Sequence, residues 1–143
     1  SALNVIANTV ELEGSVRSLD EDMRDLVQER LQQVAEGTAA ANQCEITIEY
    51  ERGYPITDNN EDATHHAISV ASSVSEVDTD TPPIMPSEDF SYMLMEKPGA
   101  FIFLGNGDSQ MLHNPEYIFD DEAIPFGSSW YAGMVEERLP ITG

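Results

Sequence analysis

Polar and apolar residues alternate without interruption from Thr9 to Arg17. Val10, Leu12, Gly14 and Val16 fall on one side, and Thr9, Glu11, Glu13, Ser15 and Arg17 on the other. A period of two predicts a half-buried strand with Arg17 on its polar face. The period then changes. Ser18-Leu19-Asp20-Glu21 has the S-x-x-E form of a capping box, and Met23, Leu26, Val27, Leu31 and Val34 follow at helical spacing. Gly37 is the expected stop of that helix. Cys44, Ile46, Ile48 and Tyr50 next alternate with Glu45, Thr47, Glu49 and Glu51, a second half-buried strand ended by Gly53 and Pro55. Residues 1–58 therefore read as β-α-β, with one sheet face under a helix and the other polar. The simplest such layer is half of a ferredoxin-like unit.

A break is expected at Asp58-Asn59-Asn60. A helix follows from about Glu61 to Val74, with Ala63, Ala67, Val70, Ala71 and Val74 on one face. Ser75 to Pro86 is rich in Asp, Thr and Pro and reads as a loop. Ser87 is placed to cap a short helix through Glu88, Asp89, Phe90 and Met93. Ala100-Phe101-Ile102-Phe103-Leu104 is a continuous apolar run, the pattern of a strand buried on both faces. The last helix is expected from near Asp121 to about Leu139, with Pro125 tolerated in its first turn. Residues 59–143 thus read as α-α-β-α, a piece of an α/β layer.

Charge narrows the partners. The chain carries 27 acidic residues against 6 basic ones, a formal net charge of −21, and Lys97 is its only lysine. Nucleic acid and anionic membrane surfaces are excluded as expected partners, because both need a basic stripe. No apolar run approaches the ~20 residues that span a bilayer, and no signal peptide is visible, so a soluble cytoplasmic protein is the expectation. Cys44 is the single cysteine; it rules out an intrachain disulfide framework and reads as a small core hydrophobe.

Few residues offer chemistry. His113 follows the buried strand in Met111-Leu112-His113-Asn114-Pro115, with the acidic run Phe119-Asp120-Asp121-Glu122 behind it. Ligands bind beyond the carboxyl ends of strands in open α/β sheets, and imidazole is a common metal ligand. An ordinary loop histidine has the same spacing. His65 and His66 are adjacent on a helix and cannot face one ion together. Glu88 and Asp89 either compensate a helix dipole or hydrogen-bond a ligand imidazole from behind. Ser128-Ser129 lacks a neighbouring base. One imidazole does not make a catalytic metal site, which needs three protein ligands.

The ordered set of short motifs is more specific than any one of them. Asn4-Val5-Ile6, Gly14-Ser15-Val16-Arg17, Ser87-Glu88-Asp89-Phe90-Ser91, Pro98-Gly99, Phe103-Leu104-Gly105, Leu112-His113-Asn114-Pro115 and Phe119-Asp120-Asp121-Glu122 occur in that order along nearly the whole chain. Together they resemble the C-terminal part of the dinuclear-metal amidohydrolases: hippurate hydrolase, N-acyl-amino-acid amidohydrolase and the auxin-conjugate hydrolases, more distantly carboxypeptidase G2. Pro86 departs from the small residue more usual before the Ser-Glu-Asp-Phe motif.

The resemblance implies a lid or dimerisation domain whose second half is residues 1–58, and the end of an α/β catalytic domain in residues 59–143. It implies hydrolysis of the amide bond of N-acyl amino acids or small peptides, assisted by two divalent ions, Zn²⁺ or Mn²⁺. His113 looks like the last metal ligand. Asn4 and Arg17 look like the pair that grips the substrate carboxylate, and the intact enzyme looks like a homodimer joined through its lid. The other ligands and the general base of the family have no counterpart here. The expectation is a fragment that is inactive alone and binds no metal tightly. The contrasting expectation is a non-catalytic assembly module whose exposed sheet edge pairs with another chain.

Dense acid with one lysine also suits a salt-loving host. Carboxylates that repel in dilute buffer are screened when the Debye length falls to about 3 Å at 1 M salt. The melting temperature should therefore rise between dilute buffer and molar KCl, as read by circular dichroism; a flat or falling curve would contradict the halophilic reading.

Overall fold

The computed structural model describes residues 4–141. The outer ends of both expected domains lie outside the described residues. The chain divides into two compact units, Ser1–Ile56 and Thr57–Gly143. Among the described residues the helices are α1 (Glu21–Ala41), α2 (Glu61–Val74), α3 (Phe90–Glu96) and α4 (Ala123–Arg138). The segments 9–17, 44–51 and 100–104 run outside these helices.

In the first unit α1 starts differently from the expected capping box. Asp20 is the cap: its backbone is extended, and its carboxylate accepts the Met23 N–H at 2.8 Å. Ser18 acts one step earlier. Its hydroxyl accepts the Asp20 N–H at 3.1 Å and donates to the Asp20 carbonyl at 2.7 Å. A carboxylate competes well with a hydroxyl for the positive end of a helix.

The helix also passes through Gly37, the expected stop, and ends four residues later. Gln43 adopts φ 54, a left-handed conformation that glycine usually fills. The Gln43 N–H donates to the Ala40 carbonyl at 3.4 Å and the Cys44 N–H to the Ala39 carbonyl at 3.0 Å. That is the paired hydrogen-bond pattern of a Schellman stop, made without glycine.

Ion pairs tie Gly53 and its neighbours to the start of α1. Arg24 bonds Glu21 at 3.1 Å and donates to the Gly53 carbonyl at 2.7 Å; Arg52 bonds Glu21 at 3.0 Å and also pairs with Asp25. Partial burial pushes the Glu21 carboxyl up, but hydrogen bonds from Arg52 and Arg24, the Arg24 charge and the Ile56 backbone outweigh it and hold the pKa below the ordinary value. These side chains are largely wet, so the cluster fixes geometry more than it adds stability.

No described residue of α1 is buried, and Val34 remains 66% exposed. Cys44, expected in a core, is exposed as well, its thiol 3.4 Å from the Asn42 carbonyl. Its strand-like segment lacks the apolar cover that would bury it.

The second unit has a real packing contact. α2 begins with Asn60, whose side chain accepts the Ala63 N–H at 3.0 Å. It then packs on α4. Val70 is fully buried, and a Cβ added to Gly133 would lie 2.7 Å from its Cγ1. The Trp130 indole donates to the Ala67 carbonyl at 3.1 Å in the same contact. Beside α4, a Cβ at Gly127 would meet Leu104 at 3.2 Å, so the apolar run 100–104 lies close to this helix.

Asn59 holds the front of that run. Its amide donates to the Phe101 carbonyl at 2.9 Å and accepts the Phe101 N–H at 2.8 Å. One carboxamide thereby satisfies both backbone groups as a neighbouring strand would. Phe101 packs against Phe90 and Phe103, with ring centres 5.9 and 5.3 Å away.

Two of the three helical glycines, Gly37 and Gly133, should respond oppositely to alanine. Nothing lies within 4 Å of a Cβ at Gly37, so Gly37→Ala should stabilise by about 0.5–1 kcal/mol through helix propensity. Gly133→Ala must displace a stiff, buried valine, at a cost of about 1–3 kcal/mol that exceeds the propensity gain. Urea unfolding of both variants checks this; a stabilised Gly133→Ala would refute the close helix approach.

Candidate functional site

The loop between the apolar run and α4 is built by side chains that replace strand partners. The Asn106 amide donates to the Ile118 carbonyl at 2.7 Å and accepts the Asp120 N–H at 2.8 Å. The Ser109 hydroxyl donates to the same Ile118 carbonyl at 3.1 Å and accepts the Ile118 N–H at 3.3 Å. The two ends of the loop are thus clasped together. Behind the clasp, the Asp120 carboxylate accepts the Glu122 N–H at 3.0 Å and its carbonyl accepts the Ala123 N–H at 3.0 Å. The loop therefore passes rigidly into α4 and from there into the contact with α2.

His113 stands at the far side of this loop. The Asn114 N–H returns to the Met111 carbonyl at 3.1 Å, closing a turn with His113 at its third position. Its φ is 69, in the left-handed region. Glycine and asparagine are the usual residues there; histidine tolerates it at a cost on the order of 1 kcal/mol. The next turn begins at once. Asn114 accepts the Tyr117 N–H on its carbonyl at 3.0 Å and the Glu116 N–H on its side chain at 2.8 Å, with Pro115 between. Back-to-back turns leave the His113 ring exposed. A strained residue at an exposed loop apex is more common at sites of function than elsewhere.

The other expected site residues are placed as follows. Glu88 is half-buried, and its carboxylate accepts the Phe90 N–H at 3.2 Å. The cap position of α3, which begins at Phe90, is Asp89 and not the expected Ser87. The buried Ser91 hydroxyl donates to the Glu88 carbonyl at 2.6 Å, fixing this turn further. Asp89 is exposed and makes no side-chain cap bond. Asn4 and Arg17 belong to the first unit and are exposed. His66 has a structural role: its Nδ1 lies 3.2 Å from the Glu137 carboxylate, linking α2 to α4.

Among the described residues no three His, Cys, Asp or Glu side chains converge as a metal site requires. His113 alone does not fit a divalent ion. Sequence reasoning missed Asn106 and Ser109, because an asparagine after an apolar run between two glycines reads simply as the end of a strand. No helix among the described residues is long and apolar enough to cross a membrane.

Comparison with known proteins gives the geometry its context. The sequence profile of peptidase family M20/M25/M40 matches residues 4–137. The chain is 35% identical to an N-acetyldiaminopimelate deacetylase of Pediococcus pentosaceus over 138 residues, covering 95% of this chain and 36% of that relative. It is 34% identical to a hippurate hydrolase of Campylobacter jejuni over 141 residues, covering 96% of this chain and 37% of that relative. A deacetylase of the same name from Streptococcus suis is 37% identical over 125 residues, 86% of this chain and 33% of the relative. The chain thus spans little more than a third of the length of these relatives. No solved structure matches it significantly. The match of the family profile over nearly the whole chain shows that it belongs to peptidase family M20/M25/M40.

Proposed function

We propose that these residues are the C-terminal part of a metal-dependent amidohydrolase that cleaves the amide bond of N-acyl amino acids. The observation that carries this reading is the pair of activities named among its relatives, deacetylation of N-acetyldiaminopimelate and hydrolysis of hippurate. Both break the bond between an acyl group and an amino-acid nitrogen. The fold that goes with it is α/β and α+β. Segments 9–17 and 44–51 flank α1 in the second half of a ferredoxin-like lid, and the second unit forms the end of an α/β catalytic domain.

In this reading His113 supplies one ligand to a site for two divalent ions, zinc or manganese, in the intact enzyme. The remaining ligands come from sequence outside this chain. Asn4 and Arg17 bind the substrate carboxylate. A guanidinium suits that task because its fixed fork of donors matches two carboxylate oxygens. The intact protein acts as a cytoplasmic homodimer joined through its lid. A non-catalytic assembly module is the second reading. It is favoured by the apolar surface of the first unit, where Leu12 is 91% exposed.

Both readings are tested with hippurate and N-acetyl amino acids as substrates, comparing the present chain with the product of its whole reading frame. Hydrolysis is expected only from the longer protein, and Arg17→Ala should raise its KM about tenfold or more, the value of a charge-assisted hydrogen bond. Hydrolysis by the present chain alone would overturn the account of the site. A longer protein inert on all these substrates would favour the assembly reading.

A further inference from the structure

We propose that Asn106, assisted by Ser109, is the positioning residue that sets His113. The proposal rests on the reading of His113 as a functional residue. Asn106 lies seven residues before His113 and Asp120 seven after it. The carboxamide joins the two arms symmetrically, donating to one backbone group and accepting from another at 2.7 and 2.8 Å. Ser109 repeats the arrangement one rung inward, with its hydroxyl on both backbone groups of Ile118. Four side-chain hydrogen bonds hold these arms together.

Closing the arms constrains the segment between them. That segment contains two consecutive turns, and His113 must take φ 69 for the first to close. A histidine released from the clasp would return to the negative φ that L-residues prefer. The imidazole would then leave its place. Asn106 touches no reacting group in this account; it acts through His113. Its neighbour Gly107 also has positive φ, at 72, which lets the arm turn directly after the clasp. Aspartate at position 106 would keep an acceptor for the Asp120 N–H but would lose the donor to Ile118 and add a charge close to the Asp120 carboxylate. Glutamine would be one methylene too long for the symmetric grip.

Asn59 provides a matched control, because it makes the same kind of double bond to Phe101 elsewhere in the unit. Hydrogen exchange and histidine NMR signals are to be compared for Asn106→Ala, Asn59→Ala, Ser109→Thr and the unaltered protein. In Asn106→Ala the Asp120 and Ile118 amides should exchange at least tenfold faster, and the His113 ring and backbone signals should move toward those of an unstructured histidine. Asn59→Ala should leave them in place, and Ser109→Thr, which keeps the hydroxyl, should behave like the unaltered protein. Unmoved His113 signals in Asn106→Ala, or equal movement in Asn59→Ala, would overturn the proposal. If Asn106→Ala prevents folding, Ser109→Ala serves the same comparison, with smaller shifts of the same signals expected. In the full-length enzyme Asn106→Ala should lower kcat about tenfold or more with KM changed less than threefold, as a misplaced group does. Loss of activity in His113→Ala without loss in Asn106→Ala would refute the positioning role alone. Full activity in His113→Ala would instead refute the functional reading of His113, leaving the exchange and NMR comparison to decide the clasp.

Discussion

The close approach of α2 and α4 governs the second unit. Val70 fits where Gly133 has no side chain, and Trp130 bonds the backbone of α2 beside it. This contact fixes α4. Because Asp120 accepts the Glu122 and Ala123 N–H groups at the start of α4, the contact also fixes one arm of the His113 loop. Asn106 then ties the other arm to the first. A packing constraint is thereby passed to a loop apex through the turn before α4 and a clasp.

Elsewhere the chain leaves apolar surface uncovered. Among the described residues Ala67, Val70 and Ala123 are the buried hydrophobics. Val10, Leu12 and Val34 are mostly exposed in the first unit, and Met111 and Ile118 in the second. Apolar surface of this extent is the kind that contact with other structure covers. The share of the relatives that the chain spans is in keeping with that need.

Much of the helical architecture was legible in the sequence, because a 3.6-residue apolar period is a local signal. α2 spans the residues its pattern indicates, and α4 begins two residues later than expected. The misjudged features are those in which two local groups compete. Ser18 and Asp20 can both cap α1, and the carboxylate prevails. At α3 the cap position is Asp89 instead of Ser87, and the Glu88 carboxylate accepts the Phe90 N–H. Gly37 is an acceptable helix residue, and the stop is made at Gln43. The site was less legible. His113 could be singled out, but its left-handed backbone arises from contacts between residues up to fourteen apart, which no local pattern encodes. Cys44 alternates with isoleucines as a core residue does yet is exposed, because alternation does not encode whether a face is covered.

The role proposed for His113 is that of one ligand in a metal site completed by residues outside this chain. Metal content after exhaustive dialysis tests it most directly. The full-length protein should retain two divalent ions per chain, His113→Ala should lose at least one of them, and the present chain should retain none. Stoichiometric zinc on the present chain, or an unchanged metal content in full-length His113→Ala, would contradict the account.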